Sequence, residues 1–412
     1  MFDKQYLLPA EALQRVLDSL RGDPPERERC GLPQCYGRIL ADDIVSSEDL
    51  PAFSRSTVDG YAVAAVDTFG AKETAPAYMT LLEDEVLMGA APAFALRRGE
   101  AAKIPTGGML PTGADAVVML EYVQTVSDDM IEVLRPAAPT ENVIQRGEDV
   151  RAGAAVLTRG RRLRAQDAGA LAGIGVTEIE VFRKPVVSIV STGDEIVPPD
   201  RPLQPGQVRD INSYTLAGLI AEHGGVPVKK GIFRDEYGLI RKAMQEAVQD
   251  ADMVLVSGGT SAGTKDMTAL IINDMGAPGV LFHGVALKPG KPMIGGVVNN
   301  TPVLGLPGHP AAAVVCFDLF IRPLLERLSG HAPCSPYART VRASMAKSIA
   351  SAAGREDHIR VALERQGGAL IAVPVLGKSG LITTLVKADG VVRIAPEQLG
   401  LDAGEKVTVT LF

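Results

Sequence analysis

Apolar residues at Ala12, Leu13, Val16, Leu17 and Leu20 recur every three to four positions, which predicts one buried face of a short helix over 11–20. A Gly-Asp-Pro-Pro break follows at 22–25. From about 45 to 150 the period drops to two. Short alternating runs at 61–63, 79–82, 116–120 and 131–134, cut by Gly and Pro, predict a compact β-rich module. A short helix over 165–173 and a strand over 176–181 come next. From Lys184 apolar strands alternate with amphipathic helices. Strands are predicted at 186–190, 226–233, 253–256 and 303–306, and helices at 212–223, 236–249, 266–275 and 310–328. That alternation predicts a doubly wound, mainly parallel sheet. Asn299-Asn300 between two apolar runs reads as a hairpin turn, so one edge of the sheet should be mixed. After Gly330 the pattern is again β, with strands at 339–343, 357–363, 369–374, 391–395 and 406–411. The expected fold class is therefore α/β and β multidomain.

Composition narrows the function classes. At 412 residues, 46 % hydrophobic and 22 % charged, the chain is long and apolar enough for several packed cores. No apolar run approaches the ~18 residues of a membrane span, since the run at 311–321 contains Asp318. Asp3 and Lys4 leave no apolar signal core, so a cytoplasmic protein without a membrane partner is expected. A net charge of −7 and the absence of Trp argue against a nucleic-acid partner. Cys30, Cys35, Cys316 and Cys334 have neither disulfide-framework nor zinc-ligand spacing.

In an open α/β sheet, ligands bind beyond the carboxyl ends of the strands. Four such loops carry chemistry here: 191–195, 234–236, 257–266 and 307–310. Their glycines allow backbone N–H groups close to a phosphate. Glu195, Asp235 and Asp266 on three of the loops would repel that phosphate unless a divalent cation lay between, and Mg²⁺ takes one or two carboxylates plus phosphate oxygens. Helix capping is the alternative role for Asp235 and Asp266. Lys288 and Lys291, beside tight turns, are candidate anion contacts. The Walker pattern fails at 372–379, because Ala372 stands where its first glycine is required. No nucleophile elbow, zinc helix or dinucleotide fingerprint is present. Asp59 and Asp149 each stand at a glycine turn outside the α/β region.

Taken together, several stretches resemble the MoeA family of molybdopterin molybdenumtransferases, whose animal counterpart is the E domain of gephyrin. They include Cys35-Tyr36-Gly37-Arg38, Ser56-Thr57-Val58-Asp59-Gly60-Tyr61-Ala62, Ile104-Pro105-Thr106-Gly107-Gly108, Arg146-Gly147-Glu148-Asp149 and Ser191-Thr192-Gly193-Asp194-Glu195. Ser257-Gly258-Gly259, Lys288-Pro289-Gly290-Lys291-Pro292, Leu306-Pro307-Gly308 and Lys387-Ala388-Asp389-Gly390 continue the likeness to the last domain. The resemblance implies an elongated homodimer. Each subunit would have a linking domain (27–44 and 152–183), a β-rich insertion-type domain (45–151), a molybdopterin-binding α/β domain (1–26 and 184–330) and a C-terminal β-barrel-like domain (331–412).

It further implies insertion of molybdate into adenylylated molybdopterin, with Mg-dependent hydrolysis of the adenylate and release of AMP. The catalytic set carried over is Asp59, Asp149, Glu195, Asp235 and Asp266, with Glu195, Asp235 and Asp266 as metal ligands. The cofactor-binding set is Thr192, Gly193, Ser257, Gly258, Gly259, Lys288, Gly290, Lys291, Pro307, Gly308, His309 and Pro310. The cleft would lie between subunits, with Asp59 and Asp149 of one facing Glu195 and Asp235 of the other. Molybdopterin adenylyltransferase and acceptor molybdoenzymes are the further partners implied. Two positions depart from the family pattern: Thr264 replaces a common acid and His309 a common Asn. They leave tungstate as an alternative oxyanion. A non-catalytic molybdopterin-binding scaffold and an adenylyltransferase are the rival functions. Stand-alone adenylyltransferases lack the two β-rich modules.

Overall fold

A computed structural model describes residues 6–22, 25–258, 264–331 and 339–412, with side chains for all but 264–266. The centre is a six-stranded sheet of β1 (Val186–Thr192), β2 (Val226–Phe233), β3 (Met253–Gly258), β4 (Pro278–His283), β5 (Ile294–Val298) and β6 (Thr301–Leu306), in the order β2-β1-β3-β6-β5-β4. The pairs β1–β2, β1–β3 and β3–β6 are parallel. Strand β5 runs antiparallel to β6 and β4. The mixed edge expected from Asn299-Asn300 is present: both residues have positive φ (50° and 75°), the geometry of a two-residue hairpin turn.

Both faces of the sheet are covered, which is why its inner strands β1, β3 and β6 read as largely apolar runs, whereas the edge strand β2 carries Lys229 and Lys230. One face buries Val187, Ile189, Leu255 and Leu304 against α1 (Pro9–Ser19), α2 (Asn212–Glu222) and the last helix of the domain. The other buries Val190, Val254, Val256 and Val303 against α3 (Tyr237–Asp250) and α4 (Thr264–Met275). Successive strand residues thus feed opposite cores, as the period of two requires. The predicted helix 310–328 is continuous but not uniformly α. It runs as α5 (Pro310–Cys316), a π stretch (Phe317–Ile321) and α6 (Arg322–Leu328). Strand β4 was not predicted, because Pro278-Gly279 reads as a breaker; Pro is tolerated at the first residue of an edge strand.

Three smaller units surround this sheet. Arg27–Gly31 pairs antiparallel with Glu178–Phe182 over a core containing Cys30, Cys35, Leu40 and Leu171. A second six-stranded sheet spans the β-rich module, from Ala116–Met119 through Gly60–Val63, Glu100–Ile104, Ala77–Leu81 and Met130–Val133 to Val123–Ser127. The C-terminal strands close into a five-stranded barrel. Glu356–Gln366 pairs with Ala369–Pro374 on one side and Gly390–Ile394 on the other, and the ring is completed by Thr340–Met345 and Lys406–Leu411. A two-strand ladder, Leu287–Lys288 on Glu356–Asp357, ties this barrel to the α/β domain. No helix among the described residues is long and apolar enough to cross a membrane.

Candidate functional site

The carboxyl ends of β1, β2, β3 and β6 converge, and two glycines make the approach possible. At Gly258 (φ +117°) an added Cβ would lie 1.8 Å from the carbonyl oxygen of Thr192, so the first and third loops meet only because no side chain stands there. At Gly193 (φ +145°) an added Cβ would lie 2.8 Å from Glu195 Oε2, so the Glu195 carboxylate folds back over its own turn. The Gly193 N–H donates to the Phe233 carbonyl (3.1 Å). That bond brings the β1 and β2 loops together, and the Asp235 N–H faces Asp194 Oδ1 at 3.4 Å.

Asp235 is the most unusual group in this corner. It is half-buried, and its Oδ1 is buried without a hydrogen-bond partner. Burial, then the charges of Asp194 and Glu195, push its pKa above the ordinary carboxylate value. The capping alternative does not describe it: α3 begins at Tyr237, its cap position is Glu236, and no side chain caps it. An orphaned carboxylate oxygen beside two further acids is a donor set suited to a hard divalent cation. Among the described residues no group of three acidic, His or Cys side chains is gathered closely enough to hold a metal ion, so Asp194, Glu195 and Asp235 do not form such a group by themselves. The side chain of Asp266, and Gly259 altogether, lie outside the described residues.

Behind the loops is a buried polar lattice. Ser191 Oγ donates to Asp210 Oδ2 (2.8 Å), and Asp210 Oδ1 accepts the Ser213 N–H (3.0 Å). Asn212 Nδ2 donates to Ser257 Oγ (2.9 Å) and to the Gly308 carbonyl (3.0 Å), joining the third loop to the fourth. Its Oδ1 is buried and unpartnered. Thr192 and Ser257 are buried in the same layer. Sequence reasoning missed Asp210 and Asn212. The available signal was an Asp three residues before Ser213 at the start of a predicted helix.

A cleft of about 1460 Å³ opens between the α/β domain and the barrel. Lys288, Gly290, Lys291, Pro307, Gly308 and His309 line one wall; Arg355, His358, Arg360, Lys378 and Ser379 line the other. Among the described residues lining it, Glu11 is the one acid. Lys288 Nζ lies 3.6 Å from the buried Asp357, which Arg355 Nε also contacts at 2.8 Å. Lys291 Nζ stands 4.5 Å from the centre of the Tyr6 ring. Arg360 is only 7 % exposed, donates through Nη2 to the Gly377 carbonyl (3.0 Å), and has no partner for Nε. Burial pushes its pKa down, so an anion arriving beside it would meet an under-solvated cation. Pro310 is buried in the first turn of α5 and is not part of the lining.

Three family models cover the chain in order: MoeA N-terminal region (domain I and II) over residues 8–175, probable molybdopterin binding domain over 188–327, and MoeA C-terminal region (domain IV) over 342–412. The molybdopterin molybdenumtransferase of Bacillus subtilis is 32 % identical over 100 % of this chain and 96 % of its own length. The chain belongs to the MoeA family. A putative molybdopterin biosynthesis protein of Methanocaldococcus jannaschii is 34 % identical over 98 % of both chains. The crystal structure of the molybdopterin biosynthesis MoeA protein of Pyrococcus horikoshii OT3 superposes with a TM-score of 0.85 at 32 % identity, covering 99 % of this chain and 100 % of that one.

Not all the acids implied by the MoeA resemblance share one place in the subunit. Glu195 and Asp235 lie together, whereas Asp59 and Asp149 stand in the β-rich module. Asp59 is exposed and accepts the Thr106 N–H (2.7 Å) and hydroxyl (3.0 Å), two bonds that hold its carboxyl below the usual range. Asp149 is also exposed, with its N–H on the Leu50 carbonyl. The two loops are neighbours: Val143 pairs with Ser56, and the Arg146 N–H donates to Ser54 Oγ.

Proposed function

We propose that this chain is a molybdopterin molybdenumtransferase of molybdenum cofactor biosynthesis, which inserts molybdate into adenylylated molybdopterin as the adenylate is hydrolysed and AMP released. The observation that carries this reading is the buried, unpartnered Asp235 oxygen flanked by Asp194 and Glu195 at the strand ends. Cleavage of a phosphoric anhydride calls for positioning and charge neutralisation more than for a protein nucleophile. Mg²⁺, when bound, would supply that neutralisation and polarise the phosphorus. Asp235 and Glu195 would hold the cation, and Asp266 would join them.

The glycines at 193 and 258 keep side chains away from the strand ends, which leaves room there for the phosphates. Ser257 and Asn212 fix the floor on which the pterin end rests. The cationic cleft is the place for the oxyanion, with Lys288, Lys291 and Arg360 as its charge. Asp59, kept ionised by Thr106, and its neighbour Asp149 are exposed on a separate module, which fits their delivery to the site of a second subunit in a homodimer. A cytoplasmic setting goes with this reading.

The test is AMP release from adenylylated molybdopterin, measured with and without Mg²⁺ and over a series of molybdate or tungstate concentrations. Oxyanion-dependent release supports the transferase, and the lower KM names the preferred oxyanion. Adenylate synthesis from ATP, or cofactor binding without turnover, would replace it with an adenylyltransferase or a scaffold.

A further inference from the structure

Ser379 is bound to the α/β domain twice, although it belongs to the C-terminal unit. Its carbonyl accepts the N–H of Ala311 (3.1 Å), a first-turn donor of α5 that has no partner within its own helix. Its hydroxyl lies 2.8 Å from His309 Nδ1. His309 occupies the cap position of α5 with extended backbone but makes no side-chain cap bond to its own helix. It reaches across to the other domain instead. The 377–381 loop packs directly on the imidazole: a Cβ added at Gly380 would be 3.5 Å from His309 Cδ2. At its start the loop is anchored by Arg360, through the Gly377 carbonyl. On the α/β side the turn is anchored too, because the Gly308 carbonyl accepts from Asn212, which also holds Ser257. His309 is therefore the side-chain link between the strand-end lattice and the far wall of the cleft.

We propose that His309 is a positioning residue that turns the Ser379 hydroxyl toward an oxyanion bound in the cleft between the two domains. This rests on the reading of the cleft as the oxyanion's place. A serine hydroxyl has one proton and two lone pairs. When His309 Nδ1–H donates to Ser379 Oγ, the serine proton is free for a second acceptor. When Nδ1 accepts, that proton is consumed. An anion held by Lys288, Lys291 and Arg360 needs donors, so it selects the arrangement in which His309 donates and Ser379 passes its own proton forward as a hydrogen bond. No bond other than hydrogen bonds forms or breaks. The far wall of the cleft thereby responds to the identity of a residue on the near wall. An Asn at 309 offers an Nδ2 donor at the same distance along its side chain; Ala offers none.

The experiment is titration calorimetry of sodium molybdate into the full-length protein, without nucleotide or pterin. His309→Ala should weaken molybdate binding about tenfold, the scale of one hydrogen bond to a charged group. His309→Asn should restore it to within about threefold. Ser379→Ala should weaken it as His309→Ala does, and the double variant should be no worse than either single one, because both remove the same donor. Wild-type affinity in His309→Ala, failure of His309→Asn to restore binding, or losses that multiply in the double variant would each overturn the inference. Circular dichroism of each variant controls for the fold. If the wild-type protein does not bind molybdate here while AMP release still depends on it, this inference falls and the proposed reaction stands. If AMP release fails but binding follows the pattern above, the reverse holds.

Discussion

Replacing Asp235 with Asn preserves its shape and removes its charge, and the structure predicts opposite effects on stability and on activity. In the folded chain its Oδ1 is buried without a partner, and burial, Asp194 and Glu195 all raise its pKa. A carboxyl raised in the folded state binds its proton more tightly there than in the unfolded chain. Native stability therefore falls as pH rises from the ordinary carboxylate range to the raised value, and the full penalty is present at neutral pH. Asn still leaves a polar atom buried without a partner, so the relief comes from removing the charge, its burial cost and its repulsion by Asp194 and Glu195, about 1 kcal/mol once the solvent screening of this half-buried group is allowed for. For a domain of this size that corresponds to a Tm increase of roughly 2–4 °C.

Turnover should move the other way, with loss of a charge-stabilising group costing about 10²–10³-fold in kcat. The assay pairs thermal unfolding in chelator at pH 7 with AMP release at saturating substrate. Adding Mg²⁺ should narrow the stability gap, because it binds the wild-type native state preferentially. A variant that is less stable than wild type in chelator, or that turns over at the wild-type rate, would refute the assignment of Asp235 as a strained cation ligand.

Three further outcomes are expected. Burial alone would raise the pKa of Glu356, but hydrogen bonds from His358 and Arg393 outweigh it and hold it at about 2. The depressed value means that this stabilisation, roughly 2–3 kcal/mol, is present above the ordinary carboxylate range and is lost as pH falls toward 2. Chemical denaturation across that interval should show the slope in wild type and a flatter profile in Glu356→Gln. Gly258→Ala should lose at least about 2 kcal/mol or fail to fold, since its Cβ would meet the Thr192 carbonyl at 1.8 Å in the β1–β3 ladder; urea unfolding measures it, and a neutral effect would contradict the loop packing. If Asp59 acts in the site of the other subunit, mixing inactive Asp59→Asn and Asp235→Asn chains should restore activity to about a quarter of wild type, because half the dimers are mixed and one of their two sites is intact. No recovery on mixing would place Asp59 outside the partner's site.

Hydrophobic periodicity was enough to place most of the chain's elements. It placed β1 and β3 two residues short of their ends, at Thr192 and Gly258, where apolar character gives way to residues of the site. It also put Glu195 and Asp235 directly after parallel strands, because a side chain's position along its own strand is a local property. What local pattern does not contain is which loops touch. The contact of Thr192 with Gly258, the Asn212 bridge from Ser257 to Gly308 and the Ser191–Asp210 pair join positions far apart in the chain. They depend on strand order and register. Closure of the barrel through the second partner of Glu356–Gln366, and the Lys288–Asp357 step that seats the barrel on the α/β domain, are likewise long-range pairings. The sequence alone thus determined most of the elements and the chemistry at their ends, since these follow from backbone period and residue type. Only the tertiary structure decided that a buried acid lacks a partner and that His309 meets Ser379, since burial and partnership are properties of assembled surfaces.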